Sequence, residues 1–233
     1  MLTFSDLFLQ SLDAQIHSKH LLKHEFYQAW TSGTLSQECL KEYAKQYYHH
    51  VSAFPTYISA LHARTADVNT RKVLLQNLIE EEAGSPNHPE LWKRFALALG
   101  VTEEEMGAHL PNEEMKYLIA TFGDICAKES LAQGVAALYS YESQIPAICI
   151  SKMDGLQKHY GMSSAQDYAY FQVHVAADEE HAMQERALLA RHIEISNSQK
   201  ALEASQKVLM ALWNFLSGLC KTYQISTCAT TQN

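Results

Sequence analysis

His174, Asp178 and His181 stand at offsets of zero, four and seven within the stretch Tyr168 to His181, YAYFQVHVAADEEH. On an α-helix, at about 100° per residue, such offsets point along one stripe. Two imidazoles and a carboxylate on one stripe are ligand chemistry for a divalent first-row metal such as iron, manganese or zinc. A polar, solvent-facing stripe would carry the same residues. The two readings separate on whether the rest of the chain supplies partners.

Glu142 is the first partner. It lies in LYSYESQIP, an otherwise apolar helical run, where a lone carboxylate must be paired, protonated or coordinated. A structural carboxyl bonded to Tyr or His is the plainer alternative. Glu81 and His88, seven residues apart, are two helical turns from each other if the helix is continuous. Glu82 competes with Glu81 at poorer phase, and the Gly84-Ser85-Pro86-Asn87 break weakens any phase argument there. The acidic triplet Glu80-Glu81-Glu82 also reads as a solvated helix end. Taken together, Glu81, His88, Glu142, His174, Asp178 and His181 suit two divalent metals with open positions for oxygen or substrate. An oxygen-activating iron or manganese centre fits this inventory better than structural zinc, which prefers closed thiolate or imidazole sites.

The rest of the chain reads as helix after helix, an all-α single domain over residues 1–221 with a frayed Ser, Thr and Gln-rich tail at 222–233. Nine Gly and five Pro in 233 residues are too few for an all-β fold with many tight turns. At 47% hydrophobic and 19% charged, the chain can bury a sizeable core. Gly33 is placed to end a short helix. Thr34 with Gln37 has capping-box spacing for a long helix to about Ala63, which Pro55 should kink. Asp67 or Asn69, Asn112, and Thr102 with Glu105 can cap later helices. The most apolar helix runs from Ser130 to about Gln157, with Pro146 as an internal kink. Ser196 or Ser198 opens the last.

A formal charge of −8, from 26 acidic and 18 basic residues, argues against binding nucleic acid or an anionic membrane, which needs a basic footprint. Cys39, Cys126, Cys149, Cys220 and Cys228 form no CxxC pair, so they read as free thiols in a reducing compartment. MLTFSDLFLQ lacks the basic start of a signal peptide. Glu142 and Gln144 interrupt the most apolar stretch, which makes it poor membrane-spanning material. A soluble cytoplasmic protein is expected, and secretion into a host is compatible with that reading. HEFY at His24 to Tyr27 is not the zinc-protease pattern HExxH, and Cys149 sits in an apolar run as core. His49 and His50 either line a cavity or cap the core.

The stretches HEFYQAW, EEEAGSPNH, GVAALYSYESQIP and DYAYFQVHVAADEEH make the chain similar to the haem-oxygenase-like diiron oxidases. Within these it most resembles the 4-aminobenzoate-forming group typified by the Chlamydia protein associating with death domains, related to pyrroloquinoline-quinone synthase and thiaminase II proteins. The resemblance implies a seven-helix bundle with a central dimetal cavity. It assigns metal ligation to Glu81, His88, Glu142, His174, Asp178 and His181, with Fe/Fe or Mn/Fe as the pair. It also implies that 4-aminobenzoate, the folate precursor, forms from the protein itself, the ring from Tyr27 and the nitrogen from Lys152, with O2 and an external electron donor. On their own residue types, Tyr27 reads as a helix-packing aromatic and Lys152 as a surface lysine. Tyr141, beside Glu142, and Tyr170, one turn before His174, are placed to form or relay a phenoxyl radical, or simply to pack and hydrogen-bond around the ligands.

Other readings stay open. One is a dimetal oxygenase acting on a separate small amine, amino acid or fatty acid. Another is a host-protein interaction module of death-domain-binding type, for which no exposed motif is visible. A third is a metal-free, thiaminase-like relative. A homodimer is possible in each.

Overall fold

The computed structural model describes residues 2–225, and every regular element among them is helical. In chain order these are α1 (Phe4–Ser18), a 3-10 turn (Leu21–Lys23), α2 (Glu25–Ser32), α3 (Gln37–Arg64), α4 (Val68–Glu82), α5 (His88–Ala98) and α6 (Glu103–Ala108). Then follow α7 (Glu113–Lys128), α8 (Leu131–Glu142), α9 (Ile145–His159), α10 (Ala169–His192) and α11 (Ile195–Thr222). They pack as one all-α bundle. Turns at 83–87 and 143–144 break longer helical runs, so the segments outnumber the seven of the expected bundle. No helix among the described residues is long and apolar enough to cross a membrane. Cys228 and the rest of the tail, 226–233, lie outside the described residues. Cys39, Cys126, Cys149 and Cys220 are free and buried.

At the centre is α8, which packs against α11, α10 and α7. All of its residues from Ala132 to Glu142 are buried. Small side chains permit this crowding: a Cβ on Gly134 would stand 2.6 Å from a Leu61 methyl. Beside α8, α10 lies against α9, α8, α5 and α1, while the long α3 packs on α7, α4 and α5. Interiors of such bundles are where side chains from facing helices assemble metal and cofactor sites.

Most expected boundaries are present, with caps that explain them. Asp67, Asn112 and Thr102 with Glu105 cap as read, and Gly33 ends α2 in the left-handed conformation at φ 71°. Three boundaries differ. Ser36, not Thr34, caps α3 by accepting from the Cys39 amide, and that helix continues through Pro55 to Arg64. Glu194, paired with Asn197, caps α11 in place of Ser196 or Ser198. Pro146 does not kink one long helix. It occupies the first turn of α9, because a proline ring clashes with the carbonyl four residues earlier. That carbonyl belongs to Glu142, where α8 ends. The break is tied down by buried Gln144, which accepts from the Leu21 amide at 2.8 Å and donates to the Ser140 carbonyl at 2.6 Å.

α2 and α9 meet at close range. A Cβ on Gly155 would lie 2.6 Å from Trp30 Cδ1 and 3.2 Å from the Trp30 carbonyl oxygen. Trp30 in turn donates to the Lys152 carbonyl at 3.2 Å. Gly155→Ala should therefore force α2 and α9 apart and cost about 1–3 kcal/mol. Urea unfolding of the variant checks this, and an unchanged midpoint would show that the contact is slack.

Candidate metal centre

Two triads of buried ligand atoms lie side by side at the heart of the bundle. Glu81, His88 and His174 form one, and Glu142, Asp178 and His181 form the other, the ligand atoms in each triad all within 4.8 Å of one another. Every one of the six residues picked from the sequence is in one triad or the other. The stripe on α10 supplies His174 to the first triad and Asp178 and His181 to the second. Glu142 comes from the end of α8 and Glu81 from the last turn of α4.

His88 arrives by a different route from the one its spacing suggests. It is the first residue of α5, capped by Asn87, and it returns to Glu81 across the 83–87 turn. Of the two competing acids, Glu81 is buried against His88, and Glu82 is exposed.

The donor atoms are arranged as for a shared cation. Glu81 Oε2 is 2.9 Å from His88 Nδ1, yet His88 Nδ1 has no hydrogen-bond partner of acceptable geometry. Two donors that close and not aligned on each other are converging on a third point. Glu142 Oε2 is likewise buried without a partner. Mixed carboxylate and imidazole donors suit iron or manganese, so the residues fit a pair of such ions.

Hydrogen bonds fix which nitrogen each imidazole presents. His174 Nδ1–H donates to the Tyr170 carbonyl at 2.7 Å, which turns Nε2 to the cavity. Burial, and then His88 beside it, push His174 well below the ordinary histidine range, so it is neutral and ready to ligate. His181 is held differently. Nε2 meets Glu80 Oε2 at 2.9 Å, while Nδ1 faces Glu142 Oε1 at 3.1 Å and Asp178 Oδ1 at 3.5 Å. Burial disfavours its charge, but Asp178 and Glu142 outweigh burial and push it up to about 11. Without a metal, His181 is thus an imidazolium standing among carboxylates. Asn77 Nδ2 donates to Glu142 Oε1 at 3.0 Å and orients that carboxylate.

Tyr141 and Tyr170 join Glu81, His174 and Asp178 around a cavity of about 10 Å³, roughly the room one water needs. Tyr170 stacks on His174, ring centroids 3.9 Å apart. Tyr141 begins a series of phenols leading away. Its hydroxyl is 2.8 Å from that of Tyr47, Tyr47 stacks on Tyr43 at 5.3 Å, and the Tyr43 and Tyr27 hydroxyls are 3.1 Å apart.

Lys152 closes that series, and it is not on the surface. It is 3% exposed and donates to Tyr43 Oη at 2.6 Å. Its Nζ stands 5.0 Å from the Tyr43 ring and 5.5 Å from the Tyr27 ring, with Tyr47, Trp92 and Phe171 each at 5.2 Å. Burial in this aromatic box brings the amine down to about 7. A sequence pattern cannot show this, because a lysine late in an amphipathic helix reads as solvated.

Four further residues belong to the site. Tyr43 and Tyr47 are one turn apart on α3, a spacing visible in the sequence but without a partner to give it meaning. Glu80 grips His181 although its neighbour Glu81 faces His88. Glu185 extends the α10 stripe by one more turn, at offset eleven from His174, and the stripe could have been followed that far. His50 is buried core, pushed down to about 3 by burial, whereas His49 bonds to His109 at 3.1 Å near the surface.

The chain matches the TENA/THI-4/PQQC family over residues 11–219. It is 47% identical to the 4-aminobenzoate synthase of Chlamydia pneumoniae, across 94% of this chain and 98% of that one. It is 42% identical to the 4-aminobenzoate synthase of Nitrosomonas europaea, across 94% and 93%. Among solved structures, a domain of unknown function with a heme oxygenase-like fold from Shewanella denitrificans superposes with a TM-score of 0.77 at 16% identity, covering 96% of this chain and 94% of that one.

Because Glu80 holds His181 in the orientation that presents Nδ1, Glu80→Gln should lower affinity for Mn(II) or Fe(II) roughly 10–100-fold. Glu82→Gln should leave it unchanged. Metal titration of both variants checks the pair. Loading should also release protons, since His181 must give up its own to ligate. Affinity therefore rises with pH, by about tenfold per unit for each proton displaced, and calorimetry in buffers of different ionisation enthalpy measures the release.

Proposed function

The chain belongs to the TENA/THI-4/PQQC family, and from that premise we propose that it is an enzyme forming 4-aminobenzoate from its own Tyr27 and Lys152. The observation that carries this reading is the placement of those two side chains. They share one sealed aromatic box, joined through Tyr43 and connected by phenols to the metal centre. The 4-aminobenzoate synthases to which the chain is similar give the product. Glu81, His88 and His174 would hold one divalent ion and Glu142, Asp178 and His181 the other, as Fe/Fe or Mn/Fe. When bound, such a pair supplies activation of O2, with electrons from an external reductant, to an oxidant that can take a hydrogen atom from a phenol.

The chain's own groups do the rest. Burial raises Tyr141, Tyr47 and Tyr43 well above the ordinary phenol range, so each stays protonated and must lose its electron and proton together. The Tyr141–Tyr47 and Tyr43–Tyr27 hydroxyl contacts let each pair exchange a proton, and the Tyr47–Tyr43 ring stack joins the two pairs. Oxidation passed along this series reaches Tyr27. Tyr27 presents a ring with a carbon substituent para to an oxygen, and 4-aminobenzoate is a ring with a carboxyl carbon para to a nitrogen. The Lys152 nitrogen would replace the phenol oxygen, with the Lys152 Cε–Nζ bond breaking and that oxygen leaving as water. The Tyr27 Cα–Cβ bond would break and Cβ be oxidised to the carboxyl, with O2 as the oxidant. With its amine down at about 7, a large fraction carries a free lone pair at neutral pH, which an ordinary lysine lacks. Surrounding rings exclude water that would otherwise compete.

One observation favours a second reading, an oxygenase acting on a separate small molecule. A groove of about 600 Å³ runs between α9 and α10, lined by Ile150, Pro146 and Met183, and reaches Asp178 from outside. Retained multiple turnover in Tyr27→Phe would favour this alternative.

Metal-loaded protein given O2 and reductant should form at most one 4-aminobenzoate per chain, with a mass change confined to peptides holding Tyr27 and Lys152. Unmodified Tyr27 alongside product would sink the self-consuming reading. Tyr47→Phe, remote from the ligands, should reduce yield at least tenfold without changing metal content. The yield per unit time should rise with pH through about 7 as Lys152 loses its proton. Stability moves with it. Between about pH 7 and the ordinary lysine range the unfolded chain binds more protons than the folded one, so stability rises across that window. Lys152→Met should accordingly make no product and melt higher than wild type at pH 7.

A further inference from the structure

Glu185 is 2% exposed, and neither of its carboxylate oxygens has a hydrogen-bond partner. It lies on α10 one turn beyond His181 and two beyond Asp178, on the stripe that feeds both triads, and its carboxyl faces Glu142. Glu142 is equally buried and also keeps one oxygen, Oε2, without a partner. Two buried carboxyls facing each other, with three oxygens between them that no donor reaches, are costly unless a proton or a cation stands in between.

We propose that Glu185 is a seventh protein ligand of the dimetal centre, joining Glu142, Asp178 and His181 on the ion that they hold. This rests on the dimetal reading and adds to it a donor outside both triads. Charge supports it. Two divalent ions bring four positive charges into the bundle, and Glu81, Glu142 and Asp178 return only three, the imidazoles being neutral as ligands. Glu80 is too open to close the balance, since its side chain is 35% exposed and water screens it. Glu185 closes it from inside. Donor number supports it too: three protein atoms leave an iron or manganese ion short of the six it commonly takes, and a carboxylate one helical turn away can swing in by rotation of its side chain.

The test compares wild type, Glu185→Gln and Glu185→Asp as full-length protein. Mn(II) and Fe(II) uptake is read by calorimetry and elemental analysis, and the thermal midpoint is measured with and without metal. An amide keeps the size and can still donate to Glu142, so Glu185→Gln should fold and melt at or above wild type when metal-free. It should bind the second ion at least tenfold more weakly, with a correspondingly smaller metal-induced rise in midpoint. Glu185→Asp, which keeps the charge, should recover part of the loss. Two ions bound by Glu185→Gln with wild-type affinity would overturn the proposal and leave Glu185 as a neutral acid bonded to Glu142. Failure of wild type itself to take up two ions would overturn the dimetal reading and this proposal with it.

Discussion

The structure is organised by the cost of burying negative charge. Glu81, Glu142, Asp178 and Glu185 all sit inside the bundle, where an unpaired carboxylate costs several kcal/mol even after relaxation. The cations near them are scarce. His181 is ringed by Asp178, Glu142 and Glu80, and one imidazolium cannot neutralise them all. Such an interior is at rest only with added positive charge. Much of the local architecture serves to hold these groups in place against their repulsion. The small residues of α8 let Glu142 come to the centre, the 83–87 turn returns His88 to Glu81, and Asn77 and Glu80 fix the angles of Glu142 and His181.

The bundle then holds two compartments with opposite appetites. One gathers carboxylates and calls for cations. The other surrounds Lys152 with aromatic rings and drives its amine toward neutrality. Ring faces attract an ammonium, but six rings at 5.0–5.9 Å replace much less than the hydration that burial removes. Desolvation wins. Between the compartments stand Tyr141, Tyr47 and Tyr43, side chains able to pass an electron and a proton without carrying net charge through the core. A lysine, a phenol and a metal site in one bundle would each be ordinary. Their linkage, by hydroxyl contacts of 2.8 and 3.1 Å with the Tyr43–Tyr47 ring stack between them, makes a site of them.

Periodicity carried most of the fold and the three triad residues of α10, because helical phase is a property of neighbouring positions. His174, Asp178 and His181 needed only one uninterrupted helix, and α10 is one. Phase failed where the chain turns. Glu81 and His88 are paired, but across a turn that no count of residues per turn describes. Pro146 was readable as a disturbance, and only its opposition to the Glu142 carbonyl shows that the helix must end there. Ser36 took the cap from Thr34, whose amide and hydroxyl both turn back to the Ala29 carbonyl of α2. Lys152 was the least legible, since its burial is decided by α2, α3, α5 and α10 closing around it, none of which its own neighbours reveal. Tyr43 and Tyr47 were hidden the same way.

Space discriminates between the two functional readings more firmly than chemistry does. The cavity beside the metals is about 10 Å³, whereas pockets that bind small organic molecules commonly run to about 300–1,000 Å³. A separate substrate would have to approach from the groove outside Asp178, and Asp178 itself is the wall between groove and cavity. To admit that substrate the chain would have to swing a metal ligand aside, weakening the centre that is to do the oxidation. Tyr27 needs no admission. It already lies inside the seal, desolvated and in line with the phenols, and on the self-consuming reading proposed above the fold would open only afterwards, to let the product go.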